Sequence, residues 1–372
     1  MRKAIAWIKS EAVLCAAFLA AAVSACFFPP SVDYFSYLDY KVLAMLFCLM
    51  AVVAGISSLG ALEVLSQRLA ERVKSRIALV FVLVMLCFFS SMLVTNDVAL
   101  LTFVPFTLVV LSLESQKEKI FVITMQTIAA NLGSMLLPVG NPQNLFLYSK
   151  YGFSFSEFLK ITAPITAVSF VLIAAVILLG KNRVLAVHFP QKAVIRDKRR
   201  LLAYAALFLL CLFSVFGILD YRITLLAVAV FLLGFDRAVF KKVDYSLLCT
   251  FVFFFLFVGN ISRSGPVSQY LSFALNGREF AAGILASQVI SNVPAAMMLS
   301  GFTENGAALV AGTDIGGLGT LVASLASLIS FKLYAKSEGA QKKEFLVCFS
   351  IFNFAFLAAL CLFALLAFHG SF

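Results

Sequence analysis

Two stretches of this 372-residue chain interrupt apolar sequence with the same polar pattern. Residues 91–99 (SMLVTNDVA) and 287–295 (SQVISNVPA) match at Ser91 and Ser287, Asn96 and Asn292, and Ala99 and Ala295. A second interruption follows each: 131–146 (NLGSMLLPVGNPQNLF) aligns with 314–329 (DIGGLGTLVASLASLI), Gly133 on Gly316, Val139 on Val322 and Leu145 on Leu328. A pair of broken apolar segments has been duplicated. In hydrocarbon every backbone polar group needs a partner, so unwound backbone at membrane depth survives only where it is buried in protein or lines a cavity. The duplication thus implies two related halves and a polar site between them.

Composition agrees, with 62% hydrophobic and 13% charged residues and a mean hydropathy of +1.03. Those values lie outside the range of soluble domains and predict an all-α polytopic membrane protein. The eight cysteines all sit in apolar runs, without a CxxC spacing or a nearby histidine. They read as reduced core residues, with neither disulfide nor metal. His188 falls in a basic loop and His369 near the C-terminus, which leaves no basis for a His-based metal or catalytic site. With no HExxH, GxSxG or His/Cys cluster, the chain is read as a non-enzyme with no cofactor beyond a coupling Na+ or H+.

The net charge of +11 is explained by its placement, and nucleic acid is not needed as a partner. Spans are predicted near 11–28, 41–60, 120–147, 160–180, 201–219, 222–235, 245–262, 305–331 and 344–368, with hairpins at 77–113 and 279–303. With the N-terminus inside, 23 Lys and Arg fall in cytoplasmic segments, and only Lys41, Lys150, Lys160, Arg222, Arg263 and Arg278 are outside. This split follows the positive-inside rule and puts the C-terminus outside. The excess also attracts anionic lipid head groups.

Cytoplasmic charge flanks 77–113 on both sides, with Arg68, Arg72, Lys74 and Arg76 before and Lys117 and Lys119 after, so the chain enters and leaves on one face. The second hairpin has arms of about a dozen residues, too short to cross at ~1.5 Å per residue, and Arg263 and Arg278 flank it on the outer side. The nine spans and two hairpins divide into a first repeat at 1–180, a basic cytoplasmic linker at 181–200, a connecting span at 201–219 and a second, inverted repeat at 220–372. The connecting span supplies the parity change that inverts the second repeat. Arg2, Lys3 and Lys9 followed by an apolar run ending near Cys26 resemble a lipoprotein signal. Removing that run would leave the halves unequal, so it is read as a signal anchor. The amphipathic stretch 61–76, with Arg68, Arg72 and Arg76, is expected to lie at the cytoplasmic interface.

The chemistry follows from the interruptions. At a hairpin tip, helix N-termini offer free amides and partial positive charge suited to an anion, whereas helix C-terminal carbonyls suit a hard cation. Thr95, Asn96, Ser291 and Asn292 add neutral polar groups. Gly133, Gly140, Gly316, Gly317 and Gly319 permit close backbone approach, and Pro138 and Pro142 break the helix between them. A Na+ is expected near Asn96 and Gly140, a pseudo-symmetric one near Asn292 and Gly319, and an anion between the tips. Asp97 and Asp314 are the only carboxylates placed at membrane depth, where such groups default to proton or cation carriers; a capping role for the Asp is the structural alternative. Gln143 and Asn144 divide between ligand and cap, while Asn260 and Asn353 read as interhelical hydrogen-bond glue.

Asn96-Asp97-x-Ala99, the segment 131–144, Asn292-x-Pro294, and Asp314-Ile315-Gly316 followed by Gly319-Thr320 resemble the ion-transporter superfamily. That group holds citrate-type carriers, divalent-anion:sodium symporters, arsenite permeases and one class of sodium/proton antiporters. The resemblance runs from about residue 40 to 368 and draws Asn131, Asn141, Asn144 and Thr320 into the site. The Asp97 that follows Asn96 is more similar to the arsenite-permease branch than to the Ser-Asn-Thr tips of the divalent-anion symporters. These readings converge on an ion-coupled secondary transporter of small anions, citrate- or dicarboxylate-like or an oxyanion such as arsenite, in a bacterial inner membrane. A sodium/proton antiporter of the same fold is the alternative and a passive channel the different-class one. The partners are the anionic substrate, the bilayer and, as an option, a second copy in a homodimer.

The charge split makes a topological prediction. Cysteine at Ser268 should react with an impermeant thiol reagent in intact cells, and cysteine at Gln191 should not; the reverse pattern would overturn the inverted arrangement.

Overall fold

The structure, a computed structural model, describes residues 11–182 and 192–368. Arg2, Lys3, Lys9, His188, Gln191 and His369 lie outside the described residues. Every regular element among those described is helical. Five helices, Tyr40–Ser58, Arg76–Val94, Phe155–Leu178, Tyr245–Ser262 and Lys342–Ala367, are long and apolar enough to cross a bilayer. Large apolar side chains such as Leu202, Val230, Leu233 and Leu366 stand exposed on helices outside the hairpins, as a lipid-facing surface requires.

The first half comprises α1 (Ala12–Phe27), the short α2 (Tyr34–Tyr37), α3 (Tyr40–Ser58), α4 (Ala61–Ala70), the hairpin arms α5 (Arg76–Val94) and α6 (Asn96–Val110), the broken pair α7 (Gln116–Ser134) and α8 (Pro142–Lys150), and α9 (Phe155–Leu178). After α10 (Lys198–Val215) come α11 (Tyr221–Phe235), a 3-10 segment Arg237–Lys242, α12 (Tyr245–Ser262) and α13 (Gly265–Leu275). The second hairpin, α14 (Glu279–Ile290) and α15 (Asn292–Leu299), leads to the broken pair α16 (Gly306–Gly316) and α17 (Leu325–Ala335), then to α18 (Lys342–Ala367). Both anticipated breaks are present, and each hairpin is preceded by a short helix, α4 or α13.

The same packing scheme serves both halves. Each hairpin's first arm lies along the first half of its own broken helix, α5 on α7 and α14 on α16. Each second arm packs on the second half of the other broken helix, α6 on α17 and α15 on α8. The first contact dictates glycine. A Cβ at Gly133 would come within 2.1 Å of the Phe88 carbonyl oxygen and 2.7 Å of Ser91 Oγ. One at Gly316 would lie 2.9 Å from both Ile284 Cα and Ser287 Oγ. Ser91 and Ser287 are buried and turn their hydroxyls back onto Phe88 and Gly283 carbonyls of their own helices.

Helix α1 packs along α12, where Phe18 meets Phe253 edge-on at 5.2 Å. Asn260 Nδ2 donates to Ser24 Oγ and Tyr34 Oη at 3.0 and 2.8 Å, the interhelical link expected of it. Asn353 behaves differently, donating to Phe349 O one turn back on α18. Arg76 does not continue the interfacial helix. Ser75 caps α5, and Arg76 pairs with Glu118 at 2.8 Å. All eight cysteines are unpaired, but Cys26 and Cys249 are exposed instead of buried in the core. The first break also starts earlier than its prolines indicate: α7 ends at Ser134, and Pro142 opens α8 at a position where its missing N–H costs nothing.

Gly133→Ala should therefore lower the melting temperature of the detergent-purified protein, at a cost of about 1–3 kcal/mol for forced overpacking. Gly234→Ala, where a Cβ meets nothing within 4 Å, should leave it equal or higher. Equal tolerance at both positions would refute the crossing.

Candidate functional site

Both hairpin tips adopt one unusual backbone conformation. Thr95 has φ 70° and ψ 150°, and Ser291 has φ 74° and ψ 153°. They are the non-glycine residues with positive φ among those described. This region is nearly exclusive to glycine and costs on the order of 1–3 kcal/mol per residue. What it achieves is a reversal within one residue, after which the next amide faces away from the hairpin. Asn96 N donates to Gly140 O at 3.3 Å, and Asn292 N donates to Ala323 O at 2.9 Å. Each tip thus docks on the unwound break of its own half.

The second tip docks on Ala323, and Gly319, near which a second Na+ is expected, lies elsewhere in the break. Gly319, at φ +103°, and Thr320 are engaged instead by Gln288. The Gln288 amide donates to the carbonyls of Gly316 and Leu318 at 2.9 Å each and its Oε1 accepts from Thr320 N at 2.8 Å, while Thr320 Oγ1 donates to Gln288 O. Gln288 holds the second break open, and Met92 occupies the matching position in the first hairpin. That mismatch is why Gln288 escaped the motif comparison, although a Gln inside an apolar arm was itself a signal.

Between the halves, two contacts cross in mirror fashion. Asp314, in the last turn of α16, accepts from Asn141 Nδ2 at 3.4 Å, Gln143 Nε2 at 3.4 Å and Asn144 Nδ2 at 3.0 Å. Asn131, which the alignment sets against Asp314, accepts through Oδ1 from Ser324 Oγ at 3.0 Å and from Asn96 Nδ2 at 3.1 Å. Asn141 and Ser324 are equivalent, since each opens the helix after a break. Ser324 could have been found by extending the alignment of Gly133 on Gly316. The cap of α8 is Asn141, whose Oδ1 accepts from Asn144 N at 2.9 Å, so Gln143 and Asn144 are free to turn toward Asp314. Ser134 Oγ accepts from Asn141 Nδ2 at 3.4 Å, and Met135 O accepts from Asn144 Nδ2 at 3.2 Å.

Two buried polar atoms without hydrogen-bond partners, the donor Asn131 Nδ2 and the acceptor Asn144 Oδ1, lie among these residues, and Asp97 beside the first tip carries a third, the acceptor Oδ1. Buried polar groups are normally satisfied, so such orphans mark a place for a ligand or water. Asp97 does not cap: Asn96 Oδ1 accepts from Asp97 N at 2.9 Å, and the carboxylate points elsewhere. Asn292 sits at the second tip with its amide nitrogen near Gly317. The structure therefore brings Asn96, Asn131 and Ser324 together, and likewise Asn141, Gln143, Asn144 and Asp314. It sets Gly319 and Thr320 apart with Gln288. Among the described residues no group of three or more His, Cys, Asp or Glu forms a metal cluster, so a cation here would rely on carbonyl, amide and single carboxylate oxygens.

The tip backbone gives a separable prediction. Thr95→Gly and Ser291→Gly should keep or raise the melting temperature by removing strain, whereas Thr95→Val and Ser291→Val should lower it by about 1–3 kcal/mol. Destabilisation by glycine would show that the conformation is not strained.

A family model described as citrate transporter matches residues 4–311, from the first span into α16. An uncharacterized transporter of Methanocaldococcus jannaschii is 32% identical over 304 residues, covering 81% of this chain and 83% of that relative. An inner membrane protein of Escherichia coli is 28% identical over 306 residues, 80% of each chain. A silicon efflux transporter of Oryza sativa subsp. japonica is 30% identical over 127 residues, 34% of this chain and 26% of that one. Given the match over most of its length, the chain belongs to the citrate transporter family and is a membrane transporter.

Proposed function

We propose that this transporter moves small anions by alternating access, coupled to Na+ or H+, and that the convergence of two tips and two breaks is its binding site. The observation that carries the reading is the buried, orphaned pair at that convergence, the Asn131 amide and the Asn144 carbonyl, with the unpartnered Asp97 Oδ1 next in sequence to the first tip. The amide donor suits an anion oxygen, and the acceptors suit a cation or a proton. The site draws on both repeats, as a site read from two sides must. On this reading Na+ sits near Asn96 and Gly140, with a second near Asn292 and Ala323, and the anion lies between the tips. Both hairpins are re-entrant, one from each face.

A second reading has its own support. The side chains around Asp314 are three neutral amides, with no cationic group among them. Two carboxylates without a cationic partner favour cations over anions unless a proton or Na+ neutralises them. A sodium/proton antiporter on the same scaffold is therefore the rival.

Proteoliposomes separate the two. Uptake of citrate, dicarboxylates, sulfate and arsenite driven by imposed Na+ or H+ gradients supports the anion carrier. Na+-driven proton movement without any anion supports the antiporter. Asn96→Ala and Asn292→Ala should each abolish transport with folded protein retained, because one interhelical hydrogen bond is worth only about 1 kcal/mol in a membrane helix pair. Asp97→Asn should lose gradient-driven accumulation or its pH dependence. Wild-type uptake by both Asn variants would exclude the tips from the site.

A further inference from the structure

Away from the central site, a cavity of about 760 Å³ opens beside the base of the second hairpin. The polar side chains that line it are Ser272, Asn276, Glu279, Thr303, Glu304 and Asn305. All carry oxygen, two are carboxylates, and no Lys, Arg or His is among the lining residues. Arg278, adjacent in sequence, is exposed and does not line it. The charge asymmetry of the loops sets this face outside the membrane.

Glu279 is the informative residue. It is the first residue of α14, is only 3% exposed, and accepts from Thr303 Oγ1 through Oε1 at 3.1 Å. Its second oxygen, Oε2, is buried with no hydrogen-bond partner. A buried carboxylate is normally paired, hydrogen-bonded through both oxygens or bound to a metal. Thr303 O in turn accepts from Tyr151 Oη at 3.0 Å, so the glutamate sits in a chain joining the hairpin base to the residue after α8.

We propose that this cavity binds a divalent hard cation of the Ca2+ type, with Glu279 as the anchoring ligand and Glu304 as the second charge. Two carboxylates balance a divalent ion, and Ser272, Asn276 and water complete the shell, since Thr303 Oγ1 is bonded to Glu279 and to Asn305 N, and Asn305 Oδ1 caps α16. An irregular, water-open cavity suits the flexible coordination of Ca2+ better than the octahedral demand of Mg2+. The ion would tie the start of α14 to the turn after α15, bracing the hairpin from outside the central site.

The test is equilibrium binding of radioactive Ca2+ to the full chain purified in detergent, with excess Mg2+ and Na+ as competitors. One saturable site per chain is expected, with dissociation on the order of 0.1–1 mM, as for extracellular Ca2+ modules. Glu279→Gln should weaken it at least tenfold, Glu304→Gln by a smaller factor, and Asp314→Asn not at all. Absence of saturable binding overturns the proposal. So does binding that survives Glu279→Gln and is lost in Asp314→Asn, which would assign it to the central site. Glu279→Gln keeps an acceptor for Thr303; if it nevertheless fails to fold, Glu304→Gln at an exposed position decides, and unchanged affinity there overturns the assignment.

Discussion

The obligation to satisfy backbone groups away from water governs this molecule. Two helices are broken in the interior, and each break leaves carbonyls that no helix completes. The hairpin tips supply the missing donors: Asn96 N to Gly140 O and Asn292 N to Ala323 O. To deliver those amides, Thr95 and Ser291 accept a conformation that side-chain-bearing residues avoid. Strain at two tips offsets a larger cost at two breaks. The glycine crossings at Gly133 and Gly316 follow, because the first arm must approach its broken helix closely enough for the tip to reach.

On this shared frame the halves diverge in ways that assign different work to each. The first break is rigidified by sequence, with Pro138 and Pro142 and an Asn141 cap. The second has no proline between Gly316 and Leu325 and is held by side chains, with Gln288 bridging Gly316, Leu318 and Thr320 and Ser291 Oγ donating to Ala323 O. A break held by side-chain hydrogen bonds is easier to remodel than one fixed by two pyrrolidine rings. The polar pairs differ in the same sense. Asn131 with Ser324 is a neutral contact, whereas Asp314 among three amides is one that protonation or a cation would change. The titratable member of the crossing therefore sits on the more adaptable half.

What could be read from the chain was whatever the backbone geometry repeats. The tips, the breaks and the crossing glycines recur because each half must solve the same distance problem with small or cap-forming residues. Side chains that act across the halves were harder to see. Ser324 stands where the first half has Asn141, and Gln288 where it has Met92, so identity matching passes over both. Gly319 looked like the partner of Gly140 because both are glycines in broken segments, yet the equivalent carbonyl belongs to Ala323. A carbonyl ligand leaves no trace in residue type. Asn260 and Asn353 make the same point: both are buried amides in apolar helices, but a hydroxyl partner lay within reach only of Asn260.

On the alternating access proposed above, the interlock of the halves bears on how the site opens to each side. Arm α6 rests on α17 and arm α15 on α8, so each hairpin's second arm bears on the second half-helix of the opposite repeat. The first arms are bound instead to their own repeat. Rocking one repeat against the other would thus shear α6 past α17 and α15 past α8, while the tip-to-break bonds travel intact within each repeat. The contacts exchanged in that motion include the side-chain crossings Asn131–Ser324 and Asn141–Asp314, together with Thr127–Ser330. These are polar contacts that a bound ion or anion could replace as they part. Hydrogen bonds of this kind in membrane helices are worth about 0.6 kcal/mol on average, small enough for ligand binding to compensate. The backbone bonds at the tips, coupled to strain, are the ones the motion has reason to preserve.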